Sequence, residues 1–343
     1  MKIPVFFNPV QKKHKPLYEW AFGEKLDHPE TTNRIESILS AIHKNENDFS
    51  IRVPDQVPFD LIHQVHDREL SALYETAEKQ LEEGMTFYPS VFFPHREIKT
   101  DPSKLSHAGG YCFDSGTPLT SLTKSAAEWS VACAQDASLF VERGEGSFAY
   151  ALCRPPGHHA SRSLFGGYCY YNNAAIVGSR LRERGKVAIV DIDFHHGNGT
   201  QDIFYEDDRV LFISIHGDPL QMYPYFSGFA DETGRGAGEG FNLNLPLPTG
   251  VDGQEYLKVL DREVIPVLKK FVPDSLVLSA GFDTFRGDPF GNFTLQTPDF
   301  AEVAARFARL NMPTVILQEG GYSVDKLGLN VVTFLQAFRD STS

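Results

Sequence analysis

The chain has 343 residues, 41% hydrophobic and 22% charged, an ordinary globular balance that can bury a large core. Its formal net charge of −13 argues against a nucleic-acid or anionic-membrane partner and suits a cationic ligand, although solubility alone explains an acidic surface equally well. Four cysteines with no CxxC pair, no long apolar core near the amino terminus and no bilayer-length apolar run argue against a structural zinc knuckle, a signal peptide and a membrane span, and predict a cytoplasmic protein.

Along the chain, residues 84–118 are rich in Pro and Gly without a clear period and predict a long loop, as do residues 216–250; such loops are functional lids, interface elements or solvated insertions. Between and beyond them, short β-branched runs predict buried parallel strands: SFAYAL (147–152), KVAIVDI (186–192), RVLFISI (209–215), SLVLSA (275–280) and TVILQE (314–319). Helical stretches alternate with them. NNAAIVGSRLRERG (172–185) stops at Gly185, and TPDFAEVAARFARL (297–310) opens with Thr297 as N-cap and Pro298 in the first turn. Alternating β and α segments give an α/β fold with a mostly parallel sheet in one domain, 1–343.

Chemistry-bearing residues follow these strands directly, at the edge where open α/β sheets bind ligands. In DIDFHHGNG, Asp191, Asp193 and His195 are spaced i, i+2, i+4 and share one face of an extended segment. Asp193 and His195 supply two ligands for a divalent metal, and Asp283 in SAGFDTFRGDP is the candidate third. Asp283 alone reads equally as a turn or cap residue. His158 and His159 in CRPPGHHA suit general acid–base work, or are ordinary loop histidines; a Pro-Pro-Gly turn can aim both at one pocket. In LQEGGYSVD, Gly320 and Gly321 let the backbone pass close to a site, and the Tyr322 phenol either donates to a developing oxyanion or packs as a wall.

In this order, RPPGHHA, DIDFHHGNGT, SAGFDTFRGDP and EGGY resemble the arginase–deacetylase superfamily, and within it the zinc-dependent histone-deacetylase-like amidohydrolases; HPETTNR (28–34) resembles that family's opening motif. SIHGDPLQMYPYFSGFADETGRGAGEGFNLNLP is similar to the bacterial acetylpolyamine amidohydrolase branch. The resemblance implies a central, mostly parallel sheet of about eight strands with helices on both faces. It implies one Zn²⁺ held by Asp193, His195 and Asp283, with His158 and His159 as tandem catalytic histidines and Tyr322 polarising the substrate carbonyl. Asp191 orients His158, and Asn198 is the partner of His159, where many lysine deacetylases carry an aspartate. A structural monovalent cation, usually K⁺, takes Asp191, Asp193, His195 and Ser214. Tyr168 and Phe226 line the acyl tunnel, with Gly167 and Gly321 at positions where a side chain would intrude, and Arg34 matches an internal-channel arginine. The loop 84–118 would build a homodimer that constricts the entrance, with Asp114 an acidic rim candidate or a turn residue. The implied substrate is a small cationic acetylpolyamine; the alternative is an acetyl-lysine protein or peptide. Because an amide orients an imidazole without adding charge, whereas Asp191 favours protonated His158, His159 is the expected base and His158 its electrostatic partner.

Overall fold

The computed structural model describes residues 2–92 and 100–342. All five predicted strands form, and three more join them. In chain order they are β1 (Ile3–Phe6), β2 (Phe49–Arg52), β3 (Phe148–Ala151), β4 (Val187–Asp191), β5 (Val210–Gly217), β6 (Asn242–Leu247), β7 (Ser275–Ala280) and β8 (Thr314–Gln318). Every pairing between them is parallel, in the order β6-β5-β4-β7-β8-β3-β1-β2.

Residues of β3, β4, β5 and β8 are buried throughout, because both faces of the sheet are covered. Side chains alternate between the faces. Ile189, Phe212, Val277 and Val315 pack into one core with α2 (Phe59–Val65), α3 (Arg68–Gln80), α4 (Thr123–Glu142), α5 (Asn173–Leu181) and α6 (Asn198–Phe204). Val190, Ile213, Leu278 and Ile316 pack into the other. That face is built by α1 (Thr32–Lys44), α7 (Gly253–Val259), α8 (Ile265–Phe271), α9 (Thr297–Ala308) and α10 (Val324–Ser341).

Several local expectations need correction. The predicted loop 216–250 contains β6, an edge strand where alternating Asn and Leu and even Pro246 are tolerated. Gln296, not Thr297, is the N-cap of α9; its backbone N–H donates to Asp299 Oδ2 at 2.8 Å, and Thr297 instead donates to Asn330 Oδ1 at 2.7 Å. Helix α5 stops at Leu181, short of Gly185, where a Cβ would sit 2.3 Å from the Asp274 carboxylate. Of the loop expected at 84–118, residues 93–99 lie outside the described residues. Among the described residues no helix is long and apolar enough to cross a membrane.

Sheet order positions the site. The chain runs outward from β4 through β5 to β6, then returns to lay β7 on the other side of β4. The crevice at the carboxyl ends of β4 and β7 is therefore a topological switch point, where open α/β sheets place their ligands.

Candidate metal and catalytic site

Asp193 and His195 curl over the edge just beyond β4, and Asp283 arrives from the loop after β7. One donor atom from each lies within 4.8 Å of the others. His195 Nδ1 is 3.2 Å from Asp193 Oδ1 and 3.1 Å from Asp283 Oδ2. The Gly320 N–H donates to Asp193 Oδ2 at 2.7 Å and the Phe194 N–H to Asp283 Oδ1 at 2.8 Å, which aims both carboxylates. Side chains would not fit around them: a Cβ on Gly281 would lie 1.9 Å from Asp193 Oδ2, and one on Gly320 2.3 Å from Asp283 Oδ2.

Both carboxylates are fully buried. Among the described residues their ion-pair partners are the His158 and His195 imidazoles, with no Lys or Arg. Burial, reinforced by the Asp193 charge, pushes the Asp283 carboxyl up to about 7. Two buried acids that converge on one imidazole, with no Lys or Arg in ion-pair contact among the described residues, suit a bound cation, and the Asp/His/Asp set fits a three-ligand divalent site with an open position.

The tandem histidines meet with ring centroids 3.9 Å apart, so the turn after β3 does aim both into one place. His158 Nδ1 lies 2.9 Å from Asp191 Oδ2, and His159 Nδ1 lies 2.7 Å from Asn198 Oδ1. Burial lowers both pKa values, but Asp191 and Asp193 overcome it at His158 and raise it to about 10. At His159 burial prevails, aided by His158 and His195, and holds the ring well below the usual imidazole value. Nδ1–H donating to an amide oxygen leaves His159 Nε2 with a free lone pair.

Tyr322 follows the two glycines after β8. Its phenol is kept protonated by burial, and the Arg34 guanidinium lies 4.8 Å from its ring centroid. Arg34 donates to Gly321 O at 2.7 Å and Glu319 O at 2.5 Å, and pairs with Glu30 at 2.9 Å. Glu30 also binds Arg154 at 2.8 Å. Tyr168 faces Tyr322 edge-on at 6.1 Å. A Cβ on Gly167 would lie 2.2 Å from His159 Cδ2, so a side chain there would intrude on the site; at Gly321 it would instead press on Leu327 in the core, 2.8 Å away. Phe226 is 57% exposed and packs edge-on against Phe113. Ser214 is paired with Asp191 across β5 and β4, and its hydroxyl lies 2.9 Å from His216 Nδ1.

Asp114 is more tied up than a rim acid: Oδ2 accepts from Gly167 N–H (2.6 Å) and the Tyr223 hydroxyl (2.8 Å), and Oδ1 from Gly116 N–H (3.0 Å). Its carboxylate links the Gly116 turn to Gly167 and Tyr223. Sequence reasoning missed four neighbours. Tyr223 packs edge-on against His159 at 5.0 Å, and Glu19 accepts from the Tyr168 hydroxyl at 2.7 Å. Glu319 accepts from the Gly157 and His158 N–H groups at 2.7 and 3.2 Å, and Asp288 accepts from the Tyr322 N–H at 2.7 Å. Glu319, Asp288 and Tyr223 sit inside the quoted motifs, and for Glu319 a carboxylate beside a buried strand end was the available signal; Glu19 had none.

Donors gathered at the switch point of an open parallel sheet define an α/β protein with a candidate metal site. Comparison with known proteins makes the class specific. The histone deacetylase domain matches residues 28–338, and the chain belongs to that family. It is similar to acetylpolyamine amidohydrolase 1 of Pseudomonas aeruginosa, 46% identical over 255 residues that cover 73% of each chain. It is also similar to the crystal structure of the acetylpolyamine aminohydrolase of Burkholderia pseudomallei, at a TM-score of 0.93, 36% identity and full coverage of both chains. Human histone deacetylase 9 is 34% identical over 334 residues, which cover 93% of this chain and 32% of that protein.

Proposed function

We propose that this chain is a zinc-dependent deacetylase that hydrolyses the acetyl amide of acetylpolyamines, such as acetylputrescine, acetylcadaverine or acetylspermidine, to acetate and free amine. The carrying observation is the meeting of the Asp193–His195–Asp283 donor set with two histidines of opposite pKa shift, in a chain similar over its whole length to an acetylpolyamine aminohydrolase. The net charge of −13 suits a cationic substrate.

Asp193, His195 and Asp283 would hold the zinc, which when bound acidifies water and polarises an amide carbonyl. Neutral His159, oriented by Asn198, takes a proton from the attacking water through Nε2 and returns it to the amide nitrogen as the C–N bond breaks. His158, held protonated by Asp191, adds positive charge beside the developing oxyanion, and the Tyr322 phenol donates to it. Asp191 and Ser214, adjacent in the sheet, fit a structural K⁺ shared with Asp193 and His195. Tyr168, Phe226, Gly167 and Gly321 belong to the acyl tunnel and its support, and Asp114 fixes that wall.

The entrance supports a homodimer. A hairpin of Tyr18–Ala21 and Glu24–Asp27 joins the 84–118 segment through stacking of Tyr18 on Tyr88. Together they expose Leu17, Trp20, Phe22, Met85 and Val91, an apolar surface that a second copy would cover. The four cysteines are all unpaired and buried, in keeping with the cytoplasm, and one continuous sheet is in keeping with a single catalytic domain.

A kinetic panel tests this. Acetylputrescine, acetylcadaverine and acetylspermidine should exceed an acetyl-lysine peptide in kcat/KM by at least about tenfold. A preference for the peptide would make the chain a protein or peptide deacetylase instead.

A further inference from the structure

The loop that brings in Asp283 does a second thing. It folds back so tightly that a Cβ on Gly291 would lie 1.9 Å from the Asp283 carbonyl oxygen. This fold turns Asp288, which is 5% exposed, toward the segment after β8. Its Oδ2 accepts from the backbone N–H groups of Tyr322 and Ser323 at 2.7 and 2.8 Å, and its Oδ1 from that of Phe290 at 3.0 Å. The Phe290 ring in turn packs edge-on against the Tyr322 ring, with centroids 4.9 Å apart. One carboxylate thus fixes the tyrosine's main chain and the aromatic surface on which its ring leans. From the other side Arg34 holds the carbonyls of Glu319 and Gly321. The N-cap residue of α10, Ser323, makes no cap bond with its own side chain, and the Asp288 carboxylate takes up the two N–H groups that lead into that helix.

We propose that Asp288 is the positioning residue for the Tyr322 phenol. It ties the tyrosine to the loop that carries Asp283, so that the phenol and the metal-ligand set are held in one fixed relation. The assignment rests on the deacetylase reading, in which Tyr322 meets the substrate oxygen. A displacement of about 1 Å at such a group can cost about 10²-fold in rate, and groups that act through one another give non-additive losses.

The test is a double-mutant cycle in zinc-replete, full-length protein, read as kcat, KM and zinc content, together with crystal structures of the variants. Asp288→Ala is expected to lower kcat about 10²-fold with KM within about threefold and zinc retained, and to lower the Tyr322→Phe enzyme by no more than about threefold. Asp288→Asn keeps an oxygen for the Tyr322 and Ser323 N–H groups and should recover to within about tenfold of the parent. An equal loss in both Tyr322 backgrounds overturns the proposal, as does loss of zinc in step with activity, or undiminished turnover. Should the alanine variant not fold, the asparagine variant is run through the same cycle and judged by the same criteria. Crystals separate this proposal from the function it rests on: a Tyr322 hydroxyl left in place in both variants refutes the clamp whatever the enzyme hydrolyses, whereas a parent inert on every acetyl amide refutes the deacetylase reading alone.

Discussion

Asn198→Asp tests the division of labour between the histidines. The substitution preserves shape but sets a full negative charge against His159 Nδ1, now 2.7 Å from the amide oxygen. Taking the charge centres about 4 Å apart and an effective dielectric near 20, the imidazolium gains ~4 kcal/mol, about 3 pH units. Burial of the new carboxylate returns part of that, so a rise of about 1–2 units is expected. In the proposed mechanism His159 works as a neutral base, and in the parent its pKa is depressed, first by burial and then by His158 and His195. Raising it keeps the ring protonated further up the scale, so the acidic limb of kcat/KM moves to higher pH. Asp191 and Asp193 raise His158 to about 10 against its burial. The assay is kcat/KM for acetylputrescine from about pH 5 to about pH 10, with zinc content confirmed for both proteins. An acidic limb that stays put or moves to lower pH would refute the assignment of His159 as base.

Gly167→Ala should lose about 10²-fold in kcat: the new Cβ would fall 2.2 Å from His159 Cδ2, at a φ of 57° that costs an alanine ~1–2 kcal/mol. Steady-state kinetics on folded protein check this, and activity within about threefold of the parent would mean that the His159 ring is free to move. Asp283→Ala should leave the protein well short of one zinc per chain by elemental analysis, while a full complement would remove Asp283 from the ligand set.

Much of the site was legible because its residues follow buried strands immediately. The runs KVAIVDI (186–192), SLVLSA (275–280) and TVILQE (314–319) marked strand ends to within one residue of those observed, and the acids, imidazoles and phenol beyond them marked the functional rim. The edge strand β6 was not legible, because its buried positions Asn242 and Asn244 are polar and Pro246 interrupts the run, which erases the continuous apolar signal of the central strands. Ile3–Phe6 carries Pro4 and Phe49–Arg52 carries Ser50 and Arg52, so neither four-residue strand reads as the continuous apolar run that marks the equally short β3. Glu19 and Tyr223 escaped for a different reason: they reach Tyr168 and His159 across 149 and 64 positions of sequence, and only the folded chain brings such residues together. Asp114 showed the opposite limit: its residue type fitted a rim group or a turn residue, and only the folded chain shows that it accepts the turn bond from Gly116 N–H together with bonds from Gly167 and Tyr223.

The pairing of Asp193 and Asp283 without a lysine or arginine has a consequence for the fate of the chain in a cell. If the proposed zinc is bound there, a molecule that has not acquired it lacks the metal's binding energy at the meeting point of β4 and β7, the middle of its sheet, and opens more often than a loaded one. Proteases that sample opened chains would clear the empty copies first. Metal shortage would then deplete the protein itself, and the surviving pool would stay enriched in molecules ready to work.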